Sequence, residues 1–556
     1  MIDLIIKNGR IVDGSGLAAY VGDIAIENGR ICKLGKVTAE AAHTVDAAGK
    51  VVAPGFIDPH THFDAQLLWD GACKPALEHG VTTVVPGNCS LSLAPLKAEH
   101  RTKLVGMFNQ IEEMPLKAFA EGVTWDWQTF PEFVERISRD LTINVAPLVG
   151  HSVLRLWVMG DAAMERTATA DEISAMQALL RECLDAGAVG MSTSFIDSDE
   201  TLKPVPSRYA DADELDALAA VLGEYGRMLQ IVHEFYNADV TVARIDELAR
   251  LSLEHGIPTT LSPLFVNAGD TGEVDKVMTR VRQQTDNGAR VWPQVQTRPI
   301  DISFCLDVPS LIFMSMRKWY AIMRFGSHED ILAALNDPDQ RAELVAESSA
   351  RENMWQRLVL RQVQTEANQP LVGMKLSDIA ALRNTDIVET MIDLSLEEDL
   401  QAHFLLGDMG HNDNQKVGSL LADPSVHIGA SDGGAHILSF ATYGDTGYLF
   451  SKYVRDQASM TLEAAVKKIT YDTANIWGLP ERGLLKEGYI ADITIFDPET
   501  LDRGEERYVQ DVPGDGSRYV RDAIGVDTVV VGGEVAYTAA AGYTESRMGR
   551  VLPGPD

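Results

Sequence analysis

The sequence predicts an α/β fold: a (β/α)₈ TIM barrel with a small β-sandwich domain built from both chain ends and a helical insertion over the barrel mouth. Three observations carry this reading. Short β-rich runs alternate with amphipathic stretches through the middle of the chain. Both ends share another texture, short apolar runs broken by Gly-containing turns. One stretch, about 305–408, keeps neither rhythm.

In chain order, LIIKNGRIVDG, GDIAIENGRICKLG and AAGKVVAPG place NG turns between apolar runs, a hairpin signal, so residues 1–55 form the first part of the sandwich. The runs GVTTVVPGNCS, LTINVAPLVGHS, AVGMSTS, RMLQIVHEF, IPTTLSPLF, ARVWPQVQ and HIGASDGG then read as strands. Between them, ADEISAMQALLRECLDAG and DADELDALAAVLGEYG show three-to-four-residue apolar spacing and a Gly stop, as amphipathic helices do. Seven or eight such units give a barrel over 56–478. The 305–408 stretch, rich in Met, Trp, Arg and Glu, reads as an insertion at the mouth, either a lid or a packing subdomain. Its string LIFMSMRKWYAIM reads as core, which can also wall a pocket. ADITIFDP and VDTVVVGGEVAYT return to strand texture, so 479–556 supplies the second part of the sandwich and a C-terminal tail.

Charge narrows the function classes. The sum is 48 − 81 = −33, a field that repels phosphate backbones and anionic lipid, so neither nucleic acid nor a membrane is expected as partner. No run of about 18 apolar residues exists to span a bilayer, and MIDLIIKNGRIVDG lacks the basic lead of a secretory signal. Five scattered cysteines without a CxxC pair read as reduced thiols, which points to a cytoplasmic protein. No phosphate loop or dinucleotide fingerprint occurs, so a small-molecule substrate without a nucleotide cofactor is expected.

Barrel chemistry sits at the C-terminal ends of strands. His60 and His62, in DPHTHFDAQ, project to one side at a strand period of two, as a metal needs; a solvated pair is the alternative. Cys89 closes GVTTVVPGNCS and is either a ligand or a small buried hydrophobe. His233 ends LQIVHEF, as a ligand or a satisfied core histidine, and is no zincin motif because residue 237 is Asn. Asp432, after VHIGAS, either binds metal and moves protons or caps a turn. Mixed N, S and O donors at four strand ends weigh more than any member alone, and they suit Zn²⁺.

With these residues in view, PGFIDPHTHFDAQ, GVTTVVPGNCS and GASDGG resemble the strand-end motifs of the amidohydrolase superfamily, in its D-aminoacylase (N-acyl-D-amino-acid deacylase) branch. The resemblance covers nearly the whole chain. It implies a metal-dependent hydrolase of amide-type C–N bonds, with one or two Zn²⁺ ions or another divalent metal. His60 and His62 would hold one metal position, Cys89 of the Asn88-Cys89 pair would bridge, and His233 would serve the other position. Asp432 would be general base and metal ligand. His151, in VGHSVLRLWVMG, matches a family string and is expected to face substrate, as are Phe265 and His436. Barrels of this kind often pair, so a homo-oligomer fits.

The departures are equally specific. Where the branch carries a second metal histidine, IPTTLSPLF offers Ser262 and Pro263, and two expected substrate-binding cations are replaced by Phe235 and Phe265. A neutral or aromatic substrate is therefore expected. Three alternatives stand beside the amidohydrolase reading: C–C, ester or lactone cleavage on the same metal, a serine hydrolase using the G-x-S-x-G string at Ser431, and a non-catalytic binding protein.

Overall fold

The computed structural model describes residues 2–552 apart from Ala430. One position of the Gly429–Gly433 string and the last four residues of the C-terminal tail thus lie outside the described residues.

The two chain ends build one sheet. Among the described residues it has nine strands, ordered Gly542–Tyr543, Glu534–Thr538, Val526–Val531, Ile493–Phe496, Val51–Pro54, Ile2–Ile11, Tyr20–Glu27 and Arg30–Gly35, with Ala41–Asp46 alongside Ile2–Ile11. The seam between the ends is Val51–Pro54 running antiparallel to Ile493–Phe496, both buried along their whole length. The expected turns are present: Asn28 and Gly29 both have positive φ (52° and 75°), as do Gly532 and Gly533 (55° and 90°), the conformation that suits a tight hairpin. These two turns meet, and a Cβ on Gly29 would lie 2.8 Å from the Gly532 carbonyl oxygen.

Parallel strands form the middle of this mixed α/β fold. Phe56–Asp58, Val81–Val84 and Asn144–Val145 pair in that order. Leu148–Gly150, Gly190–Ser194, Met228–Val232, Thr259–Ser262, Val291–Val295 and His427–Ile428 form a second series. Only two residues separate Asn144–Val145 from Leu148–Gly150, and a parallel bridge joins Thr61 to Gly433 beyond the first and last strands. Gly190–Ser194, Met228–Val232 and Thr259–Ser262 are buried throughout, as strands covered on both faces must be. Their buried hydroxyls are satisfied; Thr260 Oγ1 donates to the Trp292 carbonyl at 2.8 Å. Helices Ala170–Asp185 and Ala212–Tyr225 lie where the apolar spacing puts them. The first opens on a Thr169–Glu172 capping box and the second stops at left-handed Gly226.

The insertion is more than helical. Ile300–Phe304, Leu358–Gln362 and His403–Gly410 form a three-stranded antiparallel sheet with His403–Gly410 in the centre. Helices including Arg317–Phe325, Pro338–Ser348 and Ile387–Glu397 accompany it over a separate core containing Phe313, Trp319, Trp355 and Phe404. Each strand is short and its partner is more than 40 residues away, so local periodicity carries little trace of the pairing. The C-terminal region also departs from a pure sandwich. Asp502–Val512 and Gly516–Ile524 make a separate two-stranded ribbon tied to the insertion, with Tyr508 N donating to Gln362 Oε1 at 3.2 Å. None of the helices among the described residues is long and apolar enough to cross a membrane.

Candidate metal centre

Beyond Phe56–Asp58 the chain stays extended. Thr61 N donates to the Val85 carbonyl at 3.1 Å and His62 N to the Gly433 carbonyl at 2.7 Å. That pairing holds the two histidines on one side, their ring centroids 5.4 Å apart. Gly434 is what lets the neighbouring loop close over them: its φ is 91°, and a Cβ there would sit 2.9 Å from the His62 carbonyl oxygen. Cys89 is delivered by a strained turn. Cys89 and Ser90 have φ of 55° and 65°, a left-handed conformation that is uncommon for non-glycine residues. Asn88 pins that turn to the histidine segment, its Nδ2 donating to the Val85 carbonyl at 2.8 Å and to Thr61 O at 3.3 Å.

Cys89 Sγ lies 3.6 Å from His60 Nε2 and 3.7 Å from His62 Nε2. Asp432 Oδ1 lies 3.3 Å from His60 Nε2 and 3.9 Å from His62 Nε2. Tetrahedral zinc with ordinary Zn–S and Zn–N lengths has S···N edges of about 3.6 Å and N···O edges of about 3.3 Å. The spacing of His60, His62 and Cys89 therefore matches three donors of a metal site, with Asp432 beside them. The outer partners fit as well. His60 Nδ1 donates to Gln294 Oε1 at 3.1 Å, which turns the Nε2 lone pair inward, and His62 Nδ1 lies 3.0 Å from Glu112 Oε1.

Burial sets the charges. It lowers the His60 pKa to about 4, so this imidazole is neutral. Burial also pulls His62 down, but the adjacent Glu112 carboxylate outweighs it and holds His62 at about 9. The Cys89 thiol is pushed well up by burial, with Asp197 adding to the effect. Cation binding here must therefore displace protons. Desolvation raises Asp58, at the end of the Phe56–Asp58 strand, to about 7, and Ser431 Oγ donates to it at 2.6 Å. Ser431 Oγ accepts from Gly433 N at 3.0 Å, so this hydroxyl is spent on structure, and no histidine ring bonds to it among the described residues.

Other expected site residues are distributed differently. His233 ends Met228–Val232, but its Nδ1 donates to the Ser262 carbonyl at 3.1 Å while its buried Nε2 has no hydrogen-bond partner. His60, His62 and Cys89 have ligand atoms within 4.8 Å of one another, and His233 is not part of that group. It lines an adjoining cavity of about 590 Å³ instead. His151 corrects the expectation of substrate contact. Its Nε2 donates to Glu214 Oε1 at 2.7 Å and its Nδ1 lies 3.0 Å from Thr193 Oγ1. Fully buried, it does not line the metal cavity, because Glu214 and Arg155 draw it into an internal ion cluster. Phe265 and His436 do line that cavity, of about 360 Å³, with His60, His62, Cys89 and Asp432.

Sequence reading missed Glu112, Gln294, Arg298 and Asp197. Glu112, in QIEEMP, lies at no strand end and carries no local signal of the site. Gln294 and Arg298 end the Val291–Val295 strand, so the strand-end rule applied to them too. Arg298 lines the cavity with Nε bonded to Asp445 at 2.7 Å and Nη2 to the Ser431 carbonyl at 2.9 Å. A second acidic group, Asp216, Glu254 and His255, lies partly exposed on neighbouring helices. Arg250 Nη1 already bridges both of its carboxylates, so it is a surface ion-pair network.

The model of the amidohydrolase family matches residues 43–537. D-aminoacylase of Alcaligenes xylosoxydans xylosoxydans is 28% identical over 99% of this chain and 97% of its own length. N-acyl-D-glutamate deacylase of the same organism is 29% identical over 99% of this chain and 96% of its own. Among solved structures, N-acyl-D-glutamate deacylase from Bordetella bronchiseptica, complexed with zinc and a phosphonate mimic of the tetrahedral intermediate, superposes with a TM-score of 0.68. It is 26% identical, and 99% of each chain is covered. The chain belongs to the amidohydrolase family, in its D-aminoacylase branch.

Proposed function

We propose that this protein is a hydrolase of an amide-type, non-peptide C–N bond in a small molecule, working with one divalent cation. The observation that carries this reading is the clustering of His60 Nε2, His62 Nε2 and Cys89 Sγ, with Asp432 Oδ1 3.3 Å from His60 Nε2. Zinc is the preferred ion because thiolate and imidazole donors suit it. One ion is proposed because His233 lies outside the group formed by His60, His62 and Cys89, and Pro263 stands where a second histidine is expected. The same reading takes the two parallel strand series as one (β/α)₈ barrel over 56–478, with the sandwich at 1–55 and 479–556 and the insertion at about 305–408. Relatives of nearly equal length support that division.

A divalent cation held by His60, His62 and Cys89, with Asp432 beside it, would supply Lewis acidity toward the scissile carbonyl and the attacking water. Asp432, with its side chain 30% exposed and open to the cavity, accepts a proton as the water oxygen adds to the carbonyl carbon. It returns that proton to the nitrogen as the C–N bond breaks, leaving a carboxylic acid and an amine. Phe235, Phe265, Ile300 and Leu311 wall the cavity and exclude bulk water. His436, whose buried Nδ1 has no partner, faces the bound molecule from the far wall.

The test is Asp432→Asn in zinc-loaded protein, assayed with N-acyl-D-amino acids and neutral amides. Turnover is expected to fall by about 10²–10⁴-fold, while most of the zinc stays with the remaining donors. Near wild-type turnover would remove Asp432 from the reaction.

A further inference from the structure

Asp197 forms no ion pair with a lysine or arginine among the described residues; the imidazoles of His436 and His62 are the positive groups that act on it. It lines the metal cavity just beyond the Gly190–Ser194 strand, and its buried Oδ2 has no hydrogen-bond partner. Ser194 bonds to the carboxylate. Arg208 spends Nη1 on the backbone carbonyls of Ile196 and Asp197 at 3.0 and 3.1 Å. Arg298, the cation lining this cavity, is committed to Asp445. A buried carboxylate oxygen left unpaired is costly unless a ligand completes it.

Aromatic rings share the same cavity. Phe235 and Tyr236 have centroids 4.3 Å apart, and Phe235 meets Phe265 edge-on at 5.0 Å. Tyr236 is 81% exposed, which puts one ring at the opening. Ring faces attract cations, and onium groups are the ligands that aromatic walls recognise best. The net charge of −33 also draws cations toward the molecule.

We propose that Asp197 with Phe235, Tyr236 and Phe265 forms a subsite for an alkylammonium group, so that the substrate carries a cation where these residues line the cavity. This rests on the cavity being the substrate site proposed above. Asp197 is thereby a specificity-determining residue, and Phe235 and Phe265 do more than leave out positive charge. They convert the wall from one that holds anions to one that holds cations.

The experiment is calorimetric titration of zinc-loaded full-length protein with benzyltrimethylammonium, benzyl alcohol and benzoate, with zinc content measured on every sample. Wild type is expected to bind the ammonium probe in preference to the other two. Asp197→Asn is expected to weaken that probe by about tenfold or more, the scale of a lost desolvated charge pair, and to leave benzyl alcohol unaffected. Should Asp197→Asn not fold, Tyr236→Ala at its exposed position is expected to weaken the probe by about threefold. Equal binding by wild type and the variant, or a preference for benzoate, overturns the subsite. A wild type that takes up no zinc on loading yet still selects the ammonium overturns the metal-dependent hydrolase reading and leaves the subsite standing.

Discussion

Glu112 Oε1 lies 3.0 Å from His62 Nδ1, with both side chains only 2% exposed. This contact orients the imidazole so that Nε2 faces Cys89, and it keeps the ring protonated until a cation arrives. Glu112→Gln should therefore do two things. Zinc affinity at neutral pH should fall by about 10–100-fold, the usual effect of losing an outer-sphere carboxylate. Its dependence on pH should also flatten, because His62 no longer has to release a proton held at a pKa of about 9. Competition with a chromogenic chelator at several pH values measures both, and unchanged affinity and slope would mean that the contact is incidental.

His151 belongs to stability. Glu214 accepts from both His151 and Arg155, all three wholly buried. Glu214→Ala leaves the Arg155 guanidinium without its counter-charge, at a cost of about 3–5 kcal/mol. A lowered denaturation midpoint is expected. His151→Gln should likewise lower the midpoint and leave KM near the wild-type value; a raised KM with an unchanged midpoint would return His151 to the substrate site.

His427 predicts acid sensitivity. Burial lowers its pKa from 6.5 to about 3, and Trp477 Nε1 donates to its Nε2 at 2.9 Å, which requires a neutral ring. A depressed folded-state pKa contributes stability that is complete above about pH 6.5 and is lost as pH falls toward about 3. Between pH 7.5 and 5.0 this one residue should cost wild type about 2 kcal/mol. His427→Gln keeps an acceptor without titrating, so its loss over that interval should be smaller by that amount in denaturant melts. Parallel losses in the two proteins would contradict the assignment.

How legible the molecule was depended on whether a signal was local. Strand runs such as RMLQIV and TTLS, and the NG and GG turns, carry their conformation in adjacent residues, and they appear where read. His60, His62, Cys89 and Asp432 were legible because strand ends gather in a parallel fold whatever their sequence separation. The insertion sheet was not, since Leu358–Gln362 finds its partner only through the chain reversal to His403–Gly410. Nor was the side-chain rotation of His233, which is decided by a carbonyl 29 residues away at Ser262. Asp197 could have been found as one more polar residue just past a strand end, but its unpartnered Oδ2 is visible only in three dimensions.

Zinc stoichiometry by elemental analysis, on wild type, Cys89→Ala and His233→Ala purified without added metal, tests the central claim most directly. Roughly one zinc per chain in wild type and in His233→Ala, with little in Cys89→Ala, is the predicted result, because tetrahedral sites need their thiolate and His233 stands outside the cluster. Two zinc ions in wild type with one lost in His233→Ala would contradict the single-ion site, and no zinc in any of the three would contradict the metal-dependent reading itself.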